Sequence, residues 1–106
     1  MLEVEKSETF DRWFRRLRNR TVRLRIARQI YRMQVAERYL GDWKSVGEGV
    51  IELRLDFGSG YRVYVCIENG RMLLLLAGGD KHRQQSDIEK AKIVLADWRR
   101  QNGRAV

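Results

Sequence analysis

The sequence predicts an α+β fold in which helices pack on one antiparallel sheet. Apolar segments at about 50–57, 61–68 and 71–78, separated by glycine-containing turns, predict three consecutive strands. Such tight connections require neighbouring strands to be antiparallel. Helical spacing of apolar residues predicts two helices before this block and one after it, and a short strand opens the chain. The predicted order is therefore β-α-α-β-β-β-α, in a single domain over 1–106.

The first half of the chain predicts a strand at 2–6 and then two helices. Ser7 can cap the first helix, and Asn19 ends it and can cap the second. The second helix is expected to run to about Ala36 or Tyr39 and to stop before Gly41. With so short a break, the two helices form an antiparallel hairpin or a bent pair. Apolar residues at helical spacing give the buried faces: Phe10, Trp13, Phe14 and Leu17, then Val22, Ile26, Ile30 and Met33.

The second half predicts a glycine-rich loop at 41–49, the three strands, a polar loop and a final helix. The segment MLLLLA is apolar at every position, which predicts a central strand covered on both faces. The polar loop GGDKHRQQ follows it. Ser86 and Glu89 form a capping box that is expected to open the last helix. The core face of that helix is predicted to carry Ile88, Ala91, Leu95 and Trp98.

Composition restricts the function classes. The net charge is +8 and the pI about 10.2, with arginine far in excess of lysine, which favours a polyanionic partner. Cys66 is the one cysteine and the chain has one histidine, so neither a disulfide nor a zinc site is expected. No run of about 18 apolar residues and no signal peptide are evident in the sequence. We therefore expect a cytoplasmic protein with no membrane association, metal or cofactor.

The hairpin LRLDFGSGYRVYV, residues 53–65, carries the main candidate site. An odd-numbered turn, Gly58–Gly60, places both apolar sets on one face and predicts Asp56 opposite Arg62 and Arg54 opposite Tyr64. One interpretation is a plain amphipathic hairpin with an Asp56–Arg62 ion pair. The other is a cationic surface on which arginines bind phosphate and Tyr64 stacks on a base.

Further basic residues favour the second interpretation. Some flank the hairpin in sequence: Lys44, Lys81, His82 and Arg83. Others lie on one flank of the second helix, where few acids are interleaved, which favours contact with a polyanion: Arg25, Arg28 and Arg32.

Three stretches carry a family resemblance: KSETFDRWFRRL, VGEGVIELRLDFGSGYRVYV and LLLLAGGDKHRQQSDIEKA. In this order and spacing they resemble the RelE/ParE superfamily of bacterial toxins, and within it the HigB-like addiction-module killer proteins. The resemblance spans nearly the whole chain. It implies the fold described above and a cognate antitoxin, often a helix-turn-helix protein. RelE- and HigB-type toxins cleave mRNA in the ribosomal decoding site, whereas ParE-type toxins poison DNA gyrase.

The resemblance also implies roles for particular residues. Arg54 and Arg62 match the cationic positions that line the scissile phosphate in RelE-like nucleases, and the loop at 81–83 supplies a further cation. RelE has a tyrosine near the start of its final helix, where this chain has Asp87 and Ile88.

Cleavage without a metal requires a base, an acid and stabilisation of the phosphorane charge. Arg54 and Arg62 are candidates for stabilising the negative charge of the phosphorane, and Lys81 and His82 are candidates for proton transfer. A gyrase inhibitor and a non-catalytic antitoxin-binding module stay open as alternatives.

Overall fold

A computed structural model describes residues 1–103 and shows a five-stranded sheet with helices on both faces. From one edge of the sheet to the other the strands are Glu3–Lys6, Met72–Asp80, Tyr61–Glu68, Val50–Leu55 and Asp42–Gly47, and the predicted α+β class is confirmed. No helix in this range combines the length and apolar character needed to cross a bilayer. In chain order the elements are β1 (Glu3–Lys6), α1 (Glu8–Arg16), α2 (Arg20–Ala36), β2 (Asp42–Gly47), β3 (Val50–Leu55), β4 (Tyr61–Glu68), β5 (Met72–Asp80), a 3₁₀ turn (Lys81–Arg83) and α3 (Gln84–Gln101).

The sheet differs from the predicted one in two ways. The segment predicted as a loop contains β2, an edge strand that pairs antiparallel with β3. Its side chains are almost all exposed, so the strand shows no alternation of apolar and polar residues. In addition, β1 pairs with β5 in parallel, so the sheet is mixed rather than antiparallel. The long connection through α1, α2 and three strands allows this parallel pairing.

Apolar side chains cover both faces of the sheet. Phe10, Ile26 and Met33 of α1 and α2 form one core with Leu73 and Leu75 of β5. The alternate residues of β5 enter a second core on the opposite face, beneath α3. The prediction that β5 is covered on both faces is therefore confirmed. The second core contains Val50, Tyr64, Cys66, Leu74, Leu76, Ala77, Ile88, Ala91 and Leu95.

Side-chain caps fix three of the helical starts. Ser7 Oγ accepts a hydrogen bond from Phe10 N at 2.9 Å, and Asn19 Oδ1 accepts one from Val22 N at 3.2 Å, as predicted. Asp80 caps the 3₁₀ turn. The predicted capping box at Ser86 is wrong, because α3 already begins at Gln84 and Ser86 lies inside its first turn.

The register of the β3–β4 hairpin also differs from the prediction. Leu55 pairs with Tyr61, and Arg54 lies opposite Arg62 rather than opposite Tyr64. The turn is longer than Gly58–Gly60, and Phe57 lies within it with its ring 5.4 Å from that of Tyr61. The predicted Asp56–Arg62 pairing is therefore wrong. The longer turn is also odd-numbered, so the apolar residues still share one face.

Candidate functional site

Two arginines lie side by side in a cross-strand row on the α3 face of the sheet. Asp42 of β2 lies opposite Arg54 of β3, which lies opposite Arg62 of β4, which in turn lies opposite Gly79 of β5. Residues directly opposite each other point to the same face. We call these four residues the arginine row. It brings together the two arginines that the sequence selected.

Glu52 holds one end of this site in place. Its side chain is fully buried and accepts hydrogen bonds from Arg54 Nε at 3.1 Å, Tyr64 Oη at 3.2 Å and Gln84 Nε2 at 2.7 Å. The hydrogen bond to Glu52 raises the pKa of Arg54, so this guanidinium stays charged. Burial, followed by the nearby Glu52 carboxylate, raises the pKa of Tyr64. Tyr64 and Gln84 therefore hold the Glu52 side chain in place, and Glu52 in turn orients Arg54.

Arg62 and Asp87 on this face each have one buried polar atom that lacks a hydrogen-bond partner among the described residues. Arg62 donates through Nη1 to Tyr61 O at 3.2 Å, but its Nε is buried and unpartnered. Asp87 Oδ2 of α3 is also buried and lacks a hydrogen-bond partner among the described residues. Asp87 lies directly over Gly79, where a Cβ would be 2.8 Å from Asp87 Cγ. Burial raises the pKa of Asp87.

The 3₁₀ turn places the predicted basic residues at one end of the row. Asp80 pairs with Tyr61, the neighbour of Arg62, and its side chain accepts a hydrogen bond from His82 N at 2.8 Å. The side chain of Lys81 extends along Gly60, with Cδ 3.5 Å from the position a Cβ would take there. Lys81, His82 and Arg83 are all exposed to solvent.

Other predicted site residues are placed elsewhere. Tyr64 is fully buried beneath α3, so its predicted role of stacking on a base is wrong. The prediction assumed that this face of the hairpin was open to solvent. Lys44 is exposed on the edge strand β2, opposite Glu52. The basic residues of α2 that the sequence selected lie exposed with their helix on the other face of the sheet: Arg25, which also covers the Phe57 ring at 4.8 Å, Arg28 and Arg32.

A cleft of about 610 Å³ opens between α1 and α3. β1 pairs with β5 over Met72–Leu75, so the last part of β5, up to Asp80, continues past the end of β1. Gly78 and Gly79 line the cleft at this edge. The other side chains of interest there are four cations, two acids and two aromatics: Arg12, Arg16, Arg83 and Lys90; Asp80 and Asp87; Trp13 and Tyr61.

Sequence reasoning missed Glu52, Asp87 and this cleft. Glu52 has the same strand parity as Arg54, which is a signal for a shared face. The adjacent glycines 78 and 79 are the signal for the cleft, because a glycine pair in a strand indicates close approach of other groups. Here Gly78 accommodates the Trp13 ring, and Gly79 accommodates Asp87.

Comparisons with known proteins agree with this fold. The family described as Phage derived protein Gp49-like matches residues 12–101. The chain belongs to this family. A Haemophilus influenzae protein described as uncharacterized is 42% identical to this Gp49-like protein over 96 residues, covering 91% of this chain and 95% of its own length. A solved structure of E. coli toxin RelE, a double arginine-to-alanine mutant in the free state, has a TM-score of 0.65 and 14% identity. The match covers 84% of this chain and 96% of RelE.

The structural match confirms the RelE-like fold that the sequence resemblance implied. The Gp49-like family and the RelE fold together support the predicted RelE superfamily toxin. Assignment to the HigB-like subgroup stays a prediction, as do the roles of the individual site residues.

Proposed function

We propose that this Gp49-like protein is the toxin of a toxin–antitoxin module and cleaves mRNA on the ribosome. The arginine row is the observation that carries the proposal. Arg54 and Arg62 lie opposite each other on neighbouring strands, and Glu52 fixes the orientation of Arg54. Arg62 Nε is buried and has no hydrogen-bond partner among residues 1–103. Planar guanidinium groups placed in this way suit the oxygens of a phosphate better than ammonium groups do.

The site offers groups for the chemistry of RNA cleavage. The two arginines stabilise the negative charge that develops on the phosphate as the 2′-oxygen attacks. Both remain charged near neutrality, so proton transfer requires other groups. Lys81 and His82 on the 3₁₀ turn are proposed for this role, because imidazole and amine side chains are the common proton donors and acceptors in general acid–base catalysis. The turn is connected to the row through the pairing of Asp80 with Tyr61.

The remaining exposed basic residues are proposed to bind RNA. Those near the row contact the substrate strand, and those on α2 contact ribosomal RNA through charge. Neutralisation by a cognate antitoxin, expected to be a helix-turn-helix protein, would keep the toxin from the ribosome in the cytoplasm. The proposed RNA-binding residues are Lys44, Arg83, Arg25, Arg28 and Arg32.

Cleavage of a defined mRNA on purified ribosomes tests this function. We expect the protein to cut the mRNA within the codon in the decoding site and to leave the same RNA intact without ribosomes. Arg62→Ala should abolish cleavage, because half of the paired cationic site is lost. The Arg62 side chain makes one hydrogen bond, to Tyr61 O, so we expect its removal to cost under about 1 kcal/mol of stability.

Arg71→Ala is the matched control. Arg71 is exposed in the turn between β4 and β5, at the end of the sheet away from Tyr61 and Asp80. The Arg71→Ala substitution removes the same positive charge as Arg62→Ala and should leave cleavage unchanged. Intact mRNA with the folded wild-type protein on ribosomes, or full activity of folded Arg62→Ala, would contradict the proposal.

A further inference from the structure

Asp87 is a buried acid in the first turn of α3. The residue is 6% exposed, and its Oδ2 has no hydrogen-bond partner in the part of the chain that the structure describes. Buried carboxylates are normally hydrogen-bonded, because leaving one unpaired costs free energy. Glu52 on the same face follows the rule, with three donors to its two oxygens. The contrast is that no donor from residues 1–103 reaches Asp87 Oδ2, which leaves this acid able to accept a hydrogen bond from a ligand.

The position of Asp87 connects the arginine row with the cleft. Its carboxyl group lies over Gly79, which is the cross-strand neighbour of Arg62. The same residue lines the cleft between α1 and α3. Only glycine at position 79 permits this approach, because a Cβ would overlap the carboxyl group. A strand of RNA entering by the cleft would therefore meet Asp87 beside the row that is proposed to bind its phosphate.

We propose that Asp87 is the proton acceptor for the 2′-hydroxyl of the RNA cleaved at the arginine row. This inference rests on the proposed nuclease function. Asp87 takes the hydroxyl proton as the 2′-oxygen forms a bond to the adjacent phosphorus. The bond from phosphorus to the 5′-oxygen breaks, and that oxygen leaves with a proton supplied by the 3₁₀ turn. The products are a 2′,3′-cyclic phosphate and a 5′-hydroxyl, and Asp87 returns its proton to solvent.

The electrostatic setting suits a base. Burial raises the pKa of Asp87 and makes its carboxylate a stronger base than an exposed one. The nearby charges of Lys90 and Arg83 act in the opposite direction to burial and lower the pKa of Asp87. The titratable or charged residues facing Asp87 are Lys90 of α3, Asp80 of β5, Arg83 of the 3₁₀ turn, Tyr64 of β4 and, across the cleft, Arg12 and Arg16 of α1.

Single-turnover cleavage of mRNA on saturating ribosomes tests the inference. Asp87→Asn keeps the size of the side chain and removes the base, so the cleavage rate should fall on the order of a hundredfold or more. Ribosome binding should be unchanged. The wild-type rate should rise with pH as Asp87 ionises, and that acidic limb should be missing from the residual activity of the variant. Asp87→Ala serves as a second variant with the same expected loss.

Glu89→Gln is the matched control, because Glu89 is an exposed acid two residues further along the same helix. It should cleave at the wild-type rate with the wild-type pH profile. Wild-type cleavage together with near wild-type rates for folded Asp87→Asn or Asp87→Ala would overturn this inference and leave the nuclease function standing. Absence of cleavage by the wild-type protein would overturn both.

Discussion

Glu52 and Asp87 show how two buried acids on one face of a sheet acquire different properties. Glu52 accepts hydrogen bonds from Arg54, Tyr64 and Gln84, which fix the position of its carboxyl group. Asp87 Oδ2 accepts none, and burial raises the pKa of its carboxyl group. A carboxylate with all its donors in place stabilises structure, whereas an unpartnered one is available for proton exchange.

The raised pKa of Asp87 predicts a stability cost that depends on pH. Above the ordinary value of 3.8 the unfolded chain releases this proton, while the folded protein holds it until its higher pKa is reached. In that interval the folded state binds more protons, so its stability falls as pH rises. Asp87→Asn removes this loss and should be more stable than wild type at pH 7.

Urea unfolding at several pH values checks this prediction. The stability difference between Asp87→Asn and wild type should be smallest near pH 4, grow with pH, and level off above the folded pKa. A difference that shrinks as pH rises, or a variant less stable than wild type at pH 7, would contradict the account of Asp87 as a buried carboxyl group favouring its neutral form.

For individual residues, strand parity placed Arg54 and Arg62 on the same face of the hairpin from sequence, because alternation fixes which face a residue points to. Parity does not reveal whether that face is open to solvent. Tyr64 was therefore expected to be exposed, and it is buried beneath α3. The pairing partners were also shifted, because the last strand pair is Leu55 with Tyr61 and the turn therefore includes Phe57.

Among the elements, the helices and three central strands were predictable because each has its own apolar pattern. Edge strand β2 was not, since a strand exposed on both faces leaves no such pattern. The start of α3 was placed too late because Ser86 and Glu89 match a capping box by sequence alone. The chain instead uses Asp80 to cap the preceding 3₁₀ turn and leads directly into α3.

The junction of α1 with β5 gives a test at this scale. A Cβ at Gly78 would lie within 2.5 Å of Trp13 Cδ2, and the backbone there has no positive φ that would itself exclude alanine. Gly78→Ala should therefore destabilise the protein by about 1–3 kcal/mol through overpacking. Thermal or urea unfolding measures this loss.

Combining Gly78→Ala with Trp13→Ala tests whether the loss of stability comes from the clash with the Trp13 ring. Because Trp13→Ala removes the ring that the new methyl group would meet, Gly78→Ala should cost much less in that background than in wild type. Equal costs in the two backgrounds would show that Gly78 is required for another reason.

For the whole molecule, the net charge of +8 is spread over both sides of the sheet. The arginine row lies on the α3 face, whereas the exposed arginines of α2 lie on the other. We therefore propose separate tasks for them, with phosphate binding at the row and ribosome contact at α2. Composition predicted a polyanionic partner, but only the fold shows that these charges form two surfaces rather than one.

The RelE-like fold was predictable from the sequence because motif order and apolar patterns agreed with each other. The cleft between α1 and α3 was not, since its lining comes from residues far apart in the chain that meet only at the end of β5. The same is true of Asp87 and Gly79, whose contact follows from how α3 crosses the sheet.

The most direct test of the central claim is brief induction of the protein in a bacterium, followed by mapping of mRNA 5′ ends and scoring of DNA breaks. We expect new 5′ ends in phase with codons across translated messages, no increase in double-strand breaks, and neither effect with Arg62→Ala. Double-strand breaks with intact mRNA would indicate a gyrase inhibitor, and growth arrest without either lesion would indicate another target. Either result would contradict the assignment of this protein as a ribosome-dependent mRNA endonuclease.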